Sequence, residues 1–126
     1  MKTVLLDTNF LLLPGMDGID IFSELEKLVG EQIELATLSS VVSELRKIGQ
    51  SRSKRGTAAN VALALIGKKN VKSIETALPA DESILRHALD HENVIVCTND
   101  RELKQKLKRG NVRVITPKGK NYLAFV

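Results

Sequence analysis

Thr3-Val4-Leu5-Leu6-Asp7-Thr8-Asn9-Phe10-Leu11-Leu12-Leu13, TVLLDTNFLLL, sets one carboxylate between two apolar runs near the start of a 126-residue chain. Carboxylates are rarely buried without a partner, so the position demands a reason. TVLLD reads as a short buried strand, which leaves Asp7 at its carboxyl end. In an open α/β sheet, that end of the strands is where the functional crevice lies. The meaning of Asp7 therefore depends on whether the rest of the chain builds such a sheet.

Working outward, Pro14, Gly15 and Gly18 mark a turn. Asp20 can cap a helix to about Val29, with Ile21, Leu25, Leu28 and Val29 on one face and Gly30 as its end. IELA is a second strand. SSVVSELRKIG is a helix with Ser39 or Ser40 as cap and Gly49 as stop. QSRSKRG is a polar basic loop, and TAANVALALIG is an Ala-rich packing helix or dimer face. VKSIET is a third strand. After Pro79 a helix runs from Asp81 to about His91. VIVCT is an apolar strand, DRELKQKLKRG a helix ending at Gly110, and VRVIT a last strand. Strands thus alternate with helices, which implies a parallel sheet covered on both faces. The expected fold is a three-layer α/β/α arrangement with a mainly parallel sheet of about five strands, residues 1–126 forming one domain.

Composition narrows the class. Aromatic residues are 3% of the chain, so Leu, Ile, Val and Ala must build the core. No apolar run approaches the ~20 residues of a membrane span, and Lys2 precedes a run too short for a secretory signal. Cys97 is the only cysteine, which excludes an internal disulfide and reads as a small buried apolar residue. A cytoplasmic protein with no membrane association is expected. The net charge of +4 is unevenly spread. From Arg101 onward eight basic residues face Glu102 alone, a formal +7, whereas residues 1–100 carry −3. A basic terminal quarter on an acidic body suits a polyanionic partner, although a solvated lysine-rich helix has the same composition.

Four acids stand at strand ends or near apolar helix faces. Asp7 ends the first strand, and Thr98-Asn99-Asp100 ends the fourth. At ~100° per residue, Glu44 lies at the edge of the Val41/Leu45/Ile48 stripe. Asp81 falls in line with the stripe of Ile84, Leu85, Ala88 and Leu89, whereas Glu82 points elsewhere. Each acid alone has a local explanation. Asp7 can form an Asx-turn, Asp81 and Asp100 can be N-caps, and Glu44 can pair with Arg46 or Lys47. Together at one end of one sheet they would repel and raise each other's pKa unless a cation neutralised them. Oxygen ligands without His or Cys suit Mg²⁺ or Mn²⁺, which clamp phosphate oxygens and activate water.

With these residues in place, the chain resembles the PIN-domain ribonucleases. The resemblance rests on LLDTNFLL, SSVVSELRKIG, ADESILRHA and VIVCTNDRELK, in that order, across nearly the whole chain. It implies that Asp7, Glu44, Asp81 and Asp100 are a catalytic quartet holding one or two Mg²⁺ or Mn²⁺ ions. Thr98 and Asn9 would be supporting residues. The activity implied is endonucleolytic hydrolysis of RNA. Two stretches, SSVVSELRKIGQ and TNDRELKQKLKRGNVRVI, look most like the members that process pre-ribosomal RNA, which makes ribosomal RNA processing the first expectation and a pre-ribosomal particle the partner. Toxin ribonucleases of the VapC type, partnered by an antitoxin protein, are the alternative. A catalytically idle RNA-binding or assembly factor is the alternative of another class. A homodimer is a family habit. The region 50–70 is compact and lacks the cysteine-bearing segment of the eukaryotic processing nuclease.

Arg46, Lys47, Arg52, Lys54 and Arg55 follow Glu44 closely and, with Arg101 and Lys104, are candidate RNA contacts. The loop at 50–55 can reach over the crevice or stand free in solvent. Tyr122 is the only tyrosine and tryptophan is absent, so no aromatic platform for bases is evident. His87 and His91 have a zinc-compatible spacing but lie off the apolar stripe and read as surface residues. Glu102 is a candidate fifth acid, but its place two residues into a helix is better explained by solvent or dipole stabilisation. Gly56 and Gly67 read as ordinary helix punctuation.

Overall fold

The computed structural model describes residues 1–30, 32–119 and 122–126. Lys120, counted among the basic residues above, lies outside the described residues. The strands are β1 (Lys2–Leu6), β2 (Ile33–Leu38), β3 (Lys72–Ile74), β4 (Val94–Cys97), β5 (Arg113–Lys118) and β6 (Tyr122–Phe125). They form one sheet in the order β3-β2-β1-β4-β5-β6. All neighbours pair in parallel except β5 with β6. The sixth strand was not expected from the sequence. YLAF is short and half-buried, and only its antiparallel pairing with β5 defines it.

Val4, Leu5 and Leu6 are consecutive and all buried, as are Val94 to Cys97. Successive strand residues point to opposite faces, so both faces of the sheet are covered. The covering helices are α1 (Thr8–Leu11), α2 (Leu13–Asp17), α3 (Ile21–Val29), α4 (Ser39–Ile48), α5 (Lys54–Lys68), α6 (Ala80–Asp90) and α7 (Arg101–Arg109). Asp20 caps α3, and Gly30 ends it at φ 107°. Asn70, Asn93 and Asn111 take positive φ just before β3, β4 and β5. Asparagine tolerates this left-handed geometry better than most residues, which lets each helix turn tightly back into the sheet.

Five local expectations are corrected. Pro14 and Gly15, read as part of a turn, lie in α2, and α1 precedes it directly after Asp7. Pro14 sits in the first turn of α2, where its missing N–H costs nothing, and Gly18 ends it at φ 72°. Leu38, not Ser39 or Ser40, occupies the N-cap of α4, because Ser39 is drawn away to the backbone of Thr76. In α6 the inner face includes Ser83 and leaves Leu89 51% exposed, since the Ser83 hydroxyl bonds Thr76 and Leu78. The basic loop ends at Ser53, whose side chain caps α5, so Lys54 and Arg55 are helical. Gly56 is no mere punctuation, since a Cβ there would lie 2.0 Å from the Ser51 carbonyl oxygen.

Cys97 is fully buried, and burial followed by the nearby Asp7 charge pushes its thiol pKa well up. Ala58, Ala59 and Ala62 of α5 are buried, and α5 packs on α2 and α4. Among the described residues no helix is long and apolar enough to cross a membrane.

Candidate active site

The parallel register of β1 and β4 pairs Leu6 with Cys97. The next residue on each strand is therefore Asp7 beside Thr98. The Asp7 N–H donates to the Cys97 carbonyl at 3.2 Å, and the Thr98 hydroxyl donates to Asp7 Oδ2. Asp7 Oδ1 accepts from the Phe10 N–H at 2.8 Å, so Asp7 also caps α1. The local role of Asp7 is thus a helix N-cap and not the Asx-turn expected. It does not explain a carboxylate that is only 5% exposed and has no cationic partner among the described residues. Burial pushes the Asp7 pKa up from 3.8 to about 6. The hydrogen bonds from Thr98 and Phe10 oppose this, and the charges of Asp81 and Asp100 add to it.

Three other elements bring the remaining acids. Asp100 follows β4 and caps α7 through the Leu103 N–H at 2.9 Å, while its own N–H donates to Thr98 Oγ1 at 3.1 Å. Glu44 stands on α4, where the Thr8 hydroxyl donates to its Oε2 at 2.9 Å. No ion pair of Glu44 with Arg46 or Lys47 forms among the described residues. Asp81 lies in the first turn of α6 but is not its cap, because that position is Pro79. The approach to α6 is fixed by hydroxyls. The Thr76 N–H donates to Ser39 Oγ at 2.9 Å, Thr76 Oγ1 and Ser83 Oγ lie 2.7 Å apart, and Ser83 Oγ donates to the Leu78 carbonyl. Partial burial raises the Asp81 pKa, with Asp100, Glu44 and Glu102 adding to the rise and Lys106 opposing it.

Asp7, Thr8, Asn9, Glu44, Asp81 and Asp100 line one cavity of ≈ 150 Å³, floored by Ala80 and Ile84. A neighbouring cavity of ≈ 110 Å³ shares Asp81 and Asp100 and adds Glu82, Glu102 and Lys106. Glu102 belongs to this second cavity and pairs with Lys106 at 3.3 Å. The first cavity's charged groups are all carboxylates, and their mutual repulsion makes it a place for a cation or a proton. The all-oxygen donor set fits a hard divalent ion. Convergence is incomplete, since among the described residues no three Asp, Glu, His or Cys side chains are grouped to hold an ion. Glu44 and Asp81 are exposed, so their side chains are free to swing toward a bound charge.

Of the basic candidates, Arg55 alone touches the cavity lining, donating from Nη2 to Asn9 Oδ1 at 3.2 Å. Arg46, Lys47, Arg52, Lys54 and Arg101 are exposed, and Lys104 is half-buried; none lines either cavity. Sequence reasoning passed over Thr8 and Lys106. Thr8 follows Asp7 directly in LLDTN. Lys106 is four residues after Glu102, a spacing that signals an ion pair on a helix. His87 and His91 stack with ring centroids 4.0 Å apart, on a cavity that the carboxylates do not share. Burial, then the neighbouring His91, lowers the His87 pKa.

Comparison with known proteins bears on the family and the fold. Residues 4–120 match the family model described as a PIN like domain. The chain is 40% identical over 126 residues to Ribonuclease VapC4 of Methanocaldococcus jannaschii, covering 97% of this chain and 95% of that protein. It is 32% identical to Ribonuclease VapC9 of Archaeoglobus fulgidus, covering 90% of this chain and 82% of the other. Among solved structures, that of the PIN domain endonuclease Utp24 superposes with a TM-score of 0.81 at 22% identity, covering 98% of this chain and 90% of that one. A domain of a functionally unknown protein from Methanocaldococcus jannaschii superposes at 0.66 with 18% identity, covering 94% and 93%. The fold, the family match and the near full-length identity to two ribonucleases lead to one conclusion: the chain belongs to the PIN-domain ribonuclease family.

Proposed function

We propose that this protein is a metal-dependent endoribonuclease of the VapC toxin type, with Asp7, Glu44, Asp81 and Asp100 as its catalytic carboxylates. The observation that carries this reading is their shared cavity, in which Asp7 is buried with no cationic partner among the described residues. A scaffold protein gains nothing from holding repelling carboxylates together, which argues against the idle RNA-binding factor. One or two Mg²⁺ or Mn²⁺ ions held by the four carboxylates would polarise the phosphodiester and supply a water of lowered pKa.

The chain's own residues do the positioning. Thr98 and the Phe10 N–H hold both oxygens of Asp7 in one orientation. Thr8 does the same for one oxygen of Glu44. The α7 cap fixes Asp100 by its Oδ1 and leaves the other oxygen for the cavity. Asp7, held at both oxygens, needs little rearrangement as charge develops on the reacting phosphate, whereas Asp81 is left to adjust.

Two biological roles share this chemistry. Identities of 40% and 32% to VapC ribonucleases support the toxin role, with RNA as substrate and an antitoxin protein as partner. The likeness to Utp24 at 22% identity speaks for the fold alone. Ribosomal RNA processing, the first expectation from the sequence, therefore becomes the second reading. The test is cleavage of single-stranded and structured RNA by purified protein with Mn²⁺, with Mg²⁺ and with EDTA. Cleavage should require metal and disappear in folded Asp81→Asn protein. RNA binding without cleavage at any metal concentration would overturn the enzyme in favour of the binding factor. Growth arrest on expression, absent for Asp81→Asn, would separate the toxin role from ribosomal RNA processing.

A further inference from the structure

The carboxylate cavity repels the substrate proposed for it, because RNA brings its own negative charge to four acids. Ions held by the acids would offset part of that repulsion, and a cation at the rim would add to that offset at the phosphate oxygens that face away from them. From the hydrogen bond of Arg55 to Asn9 we infer that Arg55 holds the phosphate undergoing cleavage, whereas the other basic residues of the 46–55 cluster act only on RNA affinity. This inference rests on the ribonuclease reading and assigns Arg55 a role that charge count alone does not give it.

Three observations converge on Arg55. First, it is the only basic residue hydrogen-bonded to the lining of the carboxylate cavity among the described residues, through Nη2 to Asn9 Oδ1 at 3.2 Å. A guanidinium has five N–H donors in a fixed fork, so this bond orients the group and leaves donors for phosphate oxygens. Second, none of Arg46, Lys47, Arg52, Lys54 and Arg55 forms an ion pair among the described residues. Third, Lys54 and Arg55 open α5, whose first turn contains no acid. Cations at a helix N-terminus oppose the macrodipole, so local stability does not account for them. Such a local conflict is expected where function is served.

The backbone below Arg55 is tightly built. Ser53 accepts from the Gly56 N–H at 3.0 Å, and Gly56 approaches the Ser51 carbonyl so closely that a Cβ would lie 2.0 Å from its oxygen. This close-packed turn sets the direction in which Arg55 leaves the helix. Asn9, two residues after Asp7, then fixes the guanidinium beside the cavity. Asn9 is thus a positioning residue for Arg55 as well as part of the wall.

The experiment separates chemistry from affinity. Single-turnover cleavage of a fluorescent single-stranded RNA is followed with Mn²⁺ at saturating protein. Affinity is measured in EDTA by anisotropy across a salt series. Arg55→Gln should slow cleavage at saturation about 100-fold, in line with loss of a donor to a developing oxyanion. Arg52→Gln and Lys54→Gln should mainly weaken binding and lower the salt slope by about 0.7 each. Lys68→Gln, at the far end of α5, is the charge control and should match wild type. Arg55→Lys should recover part of the rate. Asn9→Ala combined with Arg55→Gln should be no slower than Arg55→Gln alone, because the two residues act as one unit. Wild-type rate at saturation in folded Arg55→Gln overturns this inference while leaving the ribonuclease reading intact. If Arg55→Gln does not fold, wild-type rate in Arg55→Ala or additive losses with Asn9→Ala overturn it. Absence of cleavage by wild type overturns the ribonuclease reading, and this inference with it.

Discussion

Thr98 donates its hydroxyl hydrogen bond to the buried Asp7 carboxylate although 91 residues separate them in the chain. The pairing follows from the β1–β4 register, which sets Leu6 against Cys97 and so brings the two following residues together. Thr98 also accepts from the Asp100 N–H, so one hydroxyl orders two of the four acids.

Replacing Thr98 by valine removes that hydroxyl at nearly constant volume. The Asp100 N–H then loses its acceptor, and destabilisation of about 1–3 kcal/mol is expected from the unsatisfied groups. The Thr98 bond pulls the Asp7 pKa down, so its loss lets that pKa rise further. The acid limb of the pH–rate profile should move to higher pH in Thr98→Val. A profile superimposable on wild type would remove Thr98 from the site.

Asp7 should make stability depend on pH in the absence of divalent ions. Its carboxyl keeps a proton up to about pH 6 in the folded protein but only to 3.8 when unperturbed. Between these values the folded state binds more protons, so stability falls as pH rises through that window. Above it, the charged form costs about 3 kcal/mol. Asp7→Asn should therefore be more stable than wild type in EDTA at pH 8, with the advantage fading toward pH 4, and should be inactive. Urea melts at the two pH values check this. An equal difference at both would show that Asp7 is not the group responsible.

Mn²⁺ or Mg²⁺ should reverse that cost in wild type. A ligand at 100 times its Kd stabilises by about 2.7 kcal/mol. The melting temperature at pH 8 should rise with Mn²⁺, fall back with EDTA, and respond much less in Asp81→Asn. No rise at millimolar Mn²⁺ would count against the metal-bound quartet.

Ser83→Ala tests how Asp81 is placed. Ser83 is buried, and its hydroxyl joins Thr76 to the Leu78 carbonyl just before α6. Its loss should cost about 1–3 kcal/mol. It should also weaken the Mn²⁺-dependent rise in melting temperature, since Asp81 lies in the first turn of that helix. An unchanged metal response beside lowered stability would confine Ser83 to the fold.

Glycine positions separate packing from propensity. A Cβ on Gly15 would lie 2.4 Å from Ala58 Cα, so Gly15→Ala must push α2 off α5 and should cost about 1–3 kcal/mol. Gly67 lies in the last turn of α5, where an added Cβ would meet no packing neighbour within 4 Å beyond the local helix backbone. Gly67→Ala should stabilise by about 0.5–1 kcal/mol through helix propensity. Thermal melts of the two proteins should move in opposite directions.

The alternation of strands and helices is legible along the chain, because apolar runs and caps are local signals. TVLLD, VIVCT and the Val41/Leu45/Ile48 stripe state their burial in their own periodicity. Asp7 also stands out there, since a carboxylate inside an apolar run is conspicuous without any structure. Local pattern did not yield β6, whose pairing partner is β5, nor the inward turn of Ser83 in place of Leu89. Both depend on what other segments present to those residues. Tertiary structure alone decided that Thr8 bonds Glu44, that Thr98 bonds Asp7, and that Arg55 bonds Asn9. Those contacts span 36, 91 and 46 residues. Sequence spacing carries no information on them, because sheet register and helix packing set which side chains meet.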